Sequence, residues 1–166
     1  MRLKFGFGDG VQTVEAPDEN VLGILAPNAM KLGKTGADAV AEALRYPVDS
    51  PPLREIVRPG EKVAVVTSDV TRPMPTYQVM PAILDELYAG GVKPEDITLV
   101  FGLGSHRRQT EAEIKKLAGD RAFQEIRCVD SDPDDCVRFG VTARGTPVDI
   151  TRAVAEADRR VCLGNI

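Results

Sequence analysis

Lys62-Val63-Ala64-Val65-Val66-Thr67-Ser68-Asp69-Val70-Thr71-Arg72-Pro73-Met74-Pro75 decides the reading of this chain. A short apolar run rich in valine has the pattern of a strand buried on both faces, as in a parallel sheet. It runs into a loop carrying a carboxylate, two hydroxyls and a guanidinium before any helix begins. A second apolar run, Ile97-Thr98-Leu99-Val100-Phe101, leads in the same way into Gly102-Leu103-Gly104-Ser105-His106-Arg107-Arg108. The chain's single histidine sits there. Open α/β sheets bind ligands outside the carboxyl ends of their strands, so both polar clusters fall where a site belongs.

Around these two units the pattern predicts the remaining elements. Leu3–Gly8 and Val11–Glu15 read as short strands about a Gly8-Asp9-Gly10 turn, a small amino-terminal β element. Thr35 precedes a short helix over Ala37–Leu44, and Ser50-Pro51-Pro52 offers an N-cap and an N1 proline for a brief helix to Val57. Strand Lys62–Thr67 is followed by a helix over Tyr77–Ala89, closed by Gly90-Gly91, with Pro81 in its first turn or kinking its entry. Thr110-Glu111-Ala112-Glu113 has capping-box form and opens a helix to Leu117. Ile126–Val129 reads as a strand, Val137–Ala143 with Thr146–Ile150 as a hairpin, Arg152–Ala157 as a helix and Arg160–Ile166 as a strand entering a loop. Successive βα units imply an α/β fold: a Rossmann-like, mostly parallel sheet with flanking helices.

Bulk properties narrow the function. A length of 166 residues suits one domain with a real core. The formal charge of −4 argues against nucleic acid or a membrane surface as partner, since these favour a concentrated basic face. No apolar run is long enough to span a bilayer, and no secretory signal opens the chain. Cys128, Cys136 and Cys162 lack zinc spacing and read as reduced thiols of a cytoplasmic protein. Asp130, Asp132, Asp134 and Asp135 lack the ladder of a calcium loop and read as a solvated turn. No metal ligands are assigned.

The chemistry concentrates in the two loops. The imidazole of His106 can transfer protons near neutral pH. Gly102 and Gly104 allow backbone to approach a ligand, and Ser105 with the following amides could hold an anion. Arg72 could grip a carboxylate or phosphate, with Asp69 orienting Arg72 or a ligand hydroxyl. The plainer alternative is a local cap in which Asp69 takes loop amides, pairs with Arg72, and Pro73 and Pro75 stiffen the turn. Gly-Leu-Gly-Ser lacks the dinucleotide fingerprint and the phosphate-loop lysine.

Asp69-Val70-Thr71-Arg72-Pro73, Gly102-Leu103-Gly104-Ser105-His106-Arg107, Arg144-Gly145-Thr146-Pro147 and the terminal Gly164-Asn165-Ile166, in this order, resemble the amino-terminal domain of the nickel-pincer lactate racemase family. Ser50-Pro51-Pro52-Leu53 and Asp18-Glu19-Asn20-Val21-Leu22-Gly23 match as well, so the resemblance covers residues 1–166. It implies a two-domain α/β enzyme that racemises or epimerises a small 2-hydroxy acid by proton abstraction and hydride shuttling to a lysine-tethered nickel-pincer nucleotide. By motif, His106 would be one of two catalytic acid/base histidines. Arg72 and Asp69 would bind substrate, and Asp69, Thr71, Arg72, Gly104 and Ser105 would lie along the cofactor.

In that family the second histidine, the cofactor-bearing lysine and the nickel-binding histidine follow a segment like Gly164-Asn165-Ile166. The expectation is therefore a truncated chain, with its carboxyl-terminal domain absent, no cofactor tethered and no turnover alone. The rival readings are a stand-alone anion- or nucleotide-binding domain without catalysis, and a structural or regulatory fragment.

Overall fold

Residues 1–31, 33–72 and 74–164 are described in the structure, a computed structural model. Pro73, Asn165 and Ile166 of the quoted motifs lie outside them. In chain order the elements are β1 (Arg2–Phe7), β2 (Gly10–Glu15), α1 (Gly36–Arg45), α2 (Leu53–Ile56), β3 (Val63–Ser68), α3 (Thr76–Ala89), β4 (Ile97–Gly102), α4 (Glu111–Ala118), α5 (Asp120–Glu125), β5 (Arg127–Asp130), β6 (Cys136–Val141), β7 (Pro147–Thr151), α6 (Arg152–Ala155) and β8 (Arg159–Cys162). Contacts divide the chain into two compact units, Met1–Gly33 and Lys34–Ile166. The first holds the antiparallel β1–β2 hairpin, turning at Gly8 with φ of 57°.

In the second unit the β-branched runs form a parallel sheet of order β5-β4-β3-β8. β3 and β4 pair without a slip from Val63 opposite Ile97 to Ser68 opposite Gly102. The chain steps outward from β3 to β4 to β5, then returns to lay β8 on the free side of β3. That reversal makes the gap between β3 and β8 a topological switch point. The β6–β7 hairpin and α6 occupy the return connection.

Helix α3 buries the stripe Met80, Ile83, Leu84 and Leu87, spaced as one helical face. The stripe joins Val63 and Val65 of β3 and Ile97, Leu99 and Phe101 of β4 in one core. Each such side chain contributes roughly 1.5–3 kcal/mol of burial. Ala64 and Val100, one residue out of phase, are buried too, and α6 contacts both strands. Arg54 of α2 ties to α3 through Glu86, a buried carboxylate that its hydrogen bonds hold below the ordinary range. No helix among the described residues is long and apolar enough to cross a membrane.

Local expectations fare unevenly. The Thr110–Glu113 capping box forms in full. Ser50 does not cap α2: its hydroxyl bonds the Pro51 carbonyl at 3.1 Å, and Pro52 occupies the cap position. Pro81 sits inside α3, beyond the first turn, and its carbonyl accepts from Arg121 at 3.2 Å. Helix α5 was not expected, because Gly119 reads as a stop. Instead Gly119, at φ of 81°, ends α4 and starts α5 in one residue.

Gly90 caps α3 where a Cβ would lie 2.4 Å from the Val57 side chain and 2.9 Å from the Arg54 carbonyl oxygen. Gly90→Ala is expected to cost about 1–3 kcal/mol of overpacking strain. A Cβ at Gly6 meets nothing within 4 Å, so Gly6→Ala should leave the transition of this core in place. Denaturant melts of both variants check the difference.

Candidate functional site

Two loops leave the carboxyl ends of β3 and β4 side by side because their parent strands end level, Ser68 against Gly102. The β3 loop folds on itself: the Asp69 carbonyl accepts the Arg72 N–H at 3.1 Å, and the Asp69 carboxylate accepts the Thr71 N–H at 3.1 Å. These are the local bonds an aspartate favours in a turn. Beneath it, the buried hydroxyls of Thr67 and Thr76 bond at 2.7 Å, tying strand end to helix start. The β4 loop is anchored by buried Leu103 and turns at Gly104, φ of 58°, with the His106 N–H bonded to the Leu103 carbonyl at 3.0 Å. The Leu103 N–H in turn donates to Ser131 Oγ at 3.0 Å.

Asp69 and His106, 37 residues apart, meet here. Asp69 Oδ2 lies 2.6 Å from His106 Nδ1, and the Thr71 hydroxyl donates to Asp69 Oδ1 at 2.6 Å. Asp69 is only 2% exposed, whereas the His106 side chain is 44% exposed. Burial is the largest influence on Asp69 and pushes its carboxyl up. The bonds from the Thr71 hydroxyl, His106 and the Thr71 amide together outweigh it and hold the group below its ordinary value. It is therefore a carboxylate at neutral pH. An ionised carboxylate only accepts, so Nδ1 carries the hydrogen and Nε2 of the neutral ring is the basic nitrogen. A half-exposed imidazole so oriented can act as a general base.

The other expected residues are placed as follows. Asp69 does not pair with the Arg72 side chain, because its two oxygens are taken by Thr71 and His106. Arg72, Ser105 and Gly104 are exposed around the same strand ends. Where Gly104 lacks a Cβ, no atom lies within 4 Å. Beside it opens a cavity of about 440 Å³, lined by Val66, Gly104, Ser131, Cys136, Ile150 and Val154. A second cavity, of about 270 Å³, lies at the amino ends of the strands by Lys62, Val63 and Asp96, the wrong end for a sheet ligand.

The acidic cluster is not a merely solvated turn. Asp130 accepts two bonds from Gln109, Asp132 pairs with Arg108 at 2.8 Å, and Asp135 pairs with Arg152 at 2.8 Å. Gln109, Asp130 and Ser131 went unsingled as site supports. Asp130 and Ser131 stand at the carboxyl end of β5, the same kind of strand-end position as Asp69 after β3. Cys128 is a free thiol that burial pushes up to about 11, a poor thiolate. Among the described residues no three His, Cys, Asp or Glu side chains gather as a metal-binding group.

A family model described as the lactate racemase N-terminal domain matches residues 7–166. The lactate racemase of Thermoanaerobacterium thermosaccharolyticum is 27% identical over 169 residues, 99% of this chain and 39% of that protein. The lactate racemase of Lactiplantibacillus plantarum is 28% identical over 162 residues, 93% of this chain and 37% of that protein. The solved lactate racemase apoprotein from T. thermosaccharolyticum superposes with a TM-score of 0.76 at 25% identity, covering 98% of this chain and 38% of that chain. The chain thus spans about two fifths of the length of these relatives.

A depressed folded-state value means that Asp69 contributes stability fully present above the unfolded carboxylate value of about 3.9. That contribution is lost as pH falls through the lower folded value. Asp69→Asn should therefore lower stability at pH 7 and shrink the loss between neutrality and about pH 3. Denaturant melts across that range measure both effects.

Proposed function

Because the chain belongs to the lactate racemase N-terminal domain family, we propose that it supplies the amino-terminal catalytic part of a 2-hydroxy-acid racemase or epimerase. The Asp69–His106 pair is the observation that carries this reading. A 2-hydroxy acid gives up hydride from carbon readily only when its hydroxyl proton is taken. His106 Nε2, left without a hydrogen because Nδ1 donates to the buried Asp69 carboxylate, suits that task. Thr71 keeps the second carboxylate oxygen occupied, so that Asp69 serves the ring rather than the ligand. Arg72, exposed beside it, would fix the substrate carboxylate.

The nickel-pincer nucleotide, when bound, would supply the hydride acceptor and donor. The nucleotide part suits the open face, with exposed Arg72, Thr71 and Ser105 and unfilled space at Gly104. In this reading the metal, the tethering lysine and the second base come from a carboxyl-terminal part of a longer protein. His106 is the one imidazole in these 166 residues, so a second imidazole base on the opposite face would have to come from elsewhere. A reading as an anion- or nucleotide-binding domain without catalysis draws on the exposed Arg72, Ser105 and the Gly-rich loop, and needs no proton transfer by His106.

In the complete protein, His106→Ala should lower turnover of a 2-hydroxy acid by at least about 100-fold while cofactor loading stays intact. Chiral separation of the product, with metal analysis of the same sample, measures both. Turnover that survives the substitution removes His106 from this role and favours the binding domain.

A further inference from the structure

We propose that Gln109 is a positioning residue: with Asp130 it clamps the β3 loop to the β4 loop and so sets the spacing between Asp69 and His106. This rests on the reading of those two residues as the base and its partner. Gln109 lies three residues after His106, and its Oε1 accepts the N–H of Val70, the residue next to Asp69, at 2.9 Å. Its Nε2 donates to Asp130 Oδ1 at 2.8 Å, and its backbone N–H donates to Asp130 Oδ2 at 2.8 Å. The amide is oriented by its partners. Reversing it would face its NH2 with the Val70 N–H and its carbonyl with a carboxylate.

The topology explains why two side chains are needed. Asp130 ends β5, which pairs with β4 but not with β3. Strands lie about 4.8 Å apart, so β5 and β3 are separated by roughly 10 Å. No aspartate spans that gap, but a carboxylate followed by a carboxamide does. The side chain must also accept at one end and donate at the other. Glutamate would set two carboxylates together, asparagine is a methylene short, and methionine fills the length without either bond. Gln109 is half-buried, and the bonds at both of its ends join the β3 loop to a loop that Leu103, the Arg107–Glu113 pair and the Arg108–Asp132 pair also anchor.

Gln109→Met in the complete protein tests the clamp. With the pair no longer held, kcat should fall about 10- to 100-fold, the scale of a 1 Å misplacement, with KM little changed. In the 15N-labelled 166-residue chain the single imidazole gives a direct readout. Its resonances should move in Gln109→Met toward those of Asp69→Asn, a change that a general loss of stability would not produce. Wild-type kcat with unmoved His106 resonances overturns the clamp. A measurement on the unaltered chain covers the case in which the variant fails to fold. Val70 is 42% exposed and outside any strand, yet its amide should be protected from hydrogen exchange, and free exchange overturns the proposal. If the unaltered complete protein does not racemise, the functional reading fails, while the resonances and the exchange rate still decide the clamp.

Discussion

The pairing of β3 with β4, in parallel and without a slip from Val63–Ile97 to Ser68–Gly102, is the constraint on which the site depends. Parallel strands bring their carboxyl ends to one edge, and this register makes them end level. A shift of two residues would keep the same side chains in the core and yet carry Asp69 about 7 Å from its present place beside the β4 loop. The register is held by Val63, Val65, Ile97, Leu99 and Phe101 packing beneath α3. Core packing thus decides where the polar groups meet.

What they form is expensive by itself. A carboxylate 2% exposed is costly to bury unless hydrogen bonds replace the lost water. Asp69 receives bonds from the Thr71 amide and hydroxyl and from His106. The same bonds that offset its burial keep it ionised and fix the tautomer of the ring. Stability and chemistry therefore share one set of contacts. Ties from β5, through Ser131 to Leu103 and Asp130 to Gln109, hold the histidine's loop from the other side.

Elements whose signals are local were legible in the sequence. The valine-rich runs gave strands within a residue of β3 and β4, and Thr110–Glu113 formed the capping box its spacing implied. Where two local rules competed, tertiary contacts chose between them. Ser50 lost the cap of α2, and Gly119, packed against Tyr77, broke a helix into two instead of ending it. Asp69 and His106 were each legible as strand-end residues, but their 2.6 Å contact was not, since it follows from a register between segments over thirty residues apart. Gln109 carries no titratable group, and nothing in its sequence context marks it. The acidic run read as a solvated turn because aspartate composition says nothing of the guanidinium and amide partners waiting on other elements.

The tautomer of His106 tests this account most directly. Long-range 1H–15N correlation of the chain's single imidazole, at a pH where the ring is neutral, distinguishes the two nitrogens without any substitution. A hydrogen on Nδ1 with a bare Nε2 is the result that follows from a buried Asp69 carboxylate at 2.6 Å. A hydrogen on Nε2 would mean that Asp69 does not hold the ring as described, and the general base derived from it would be lost.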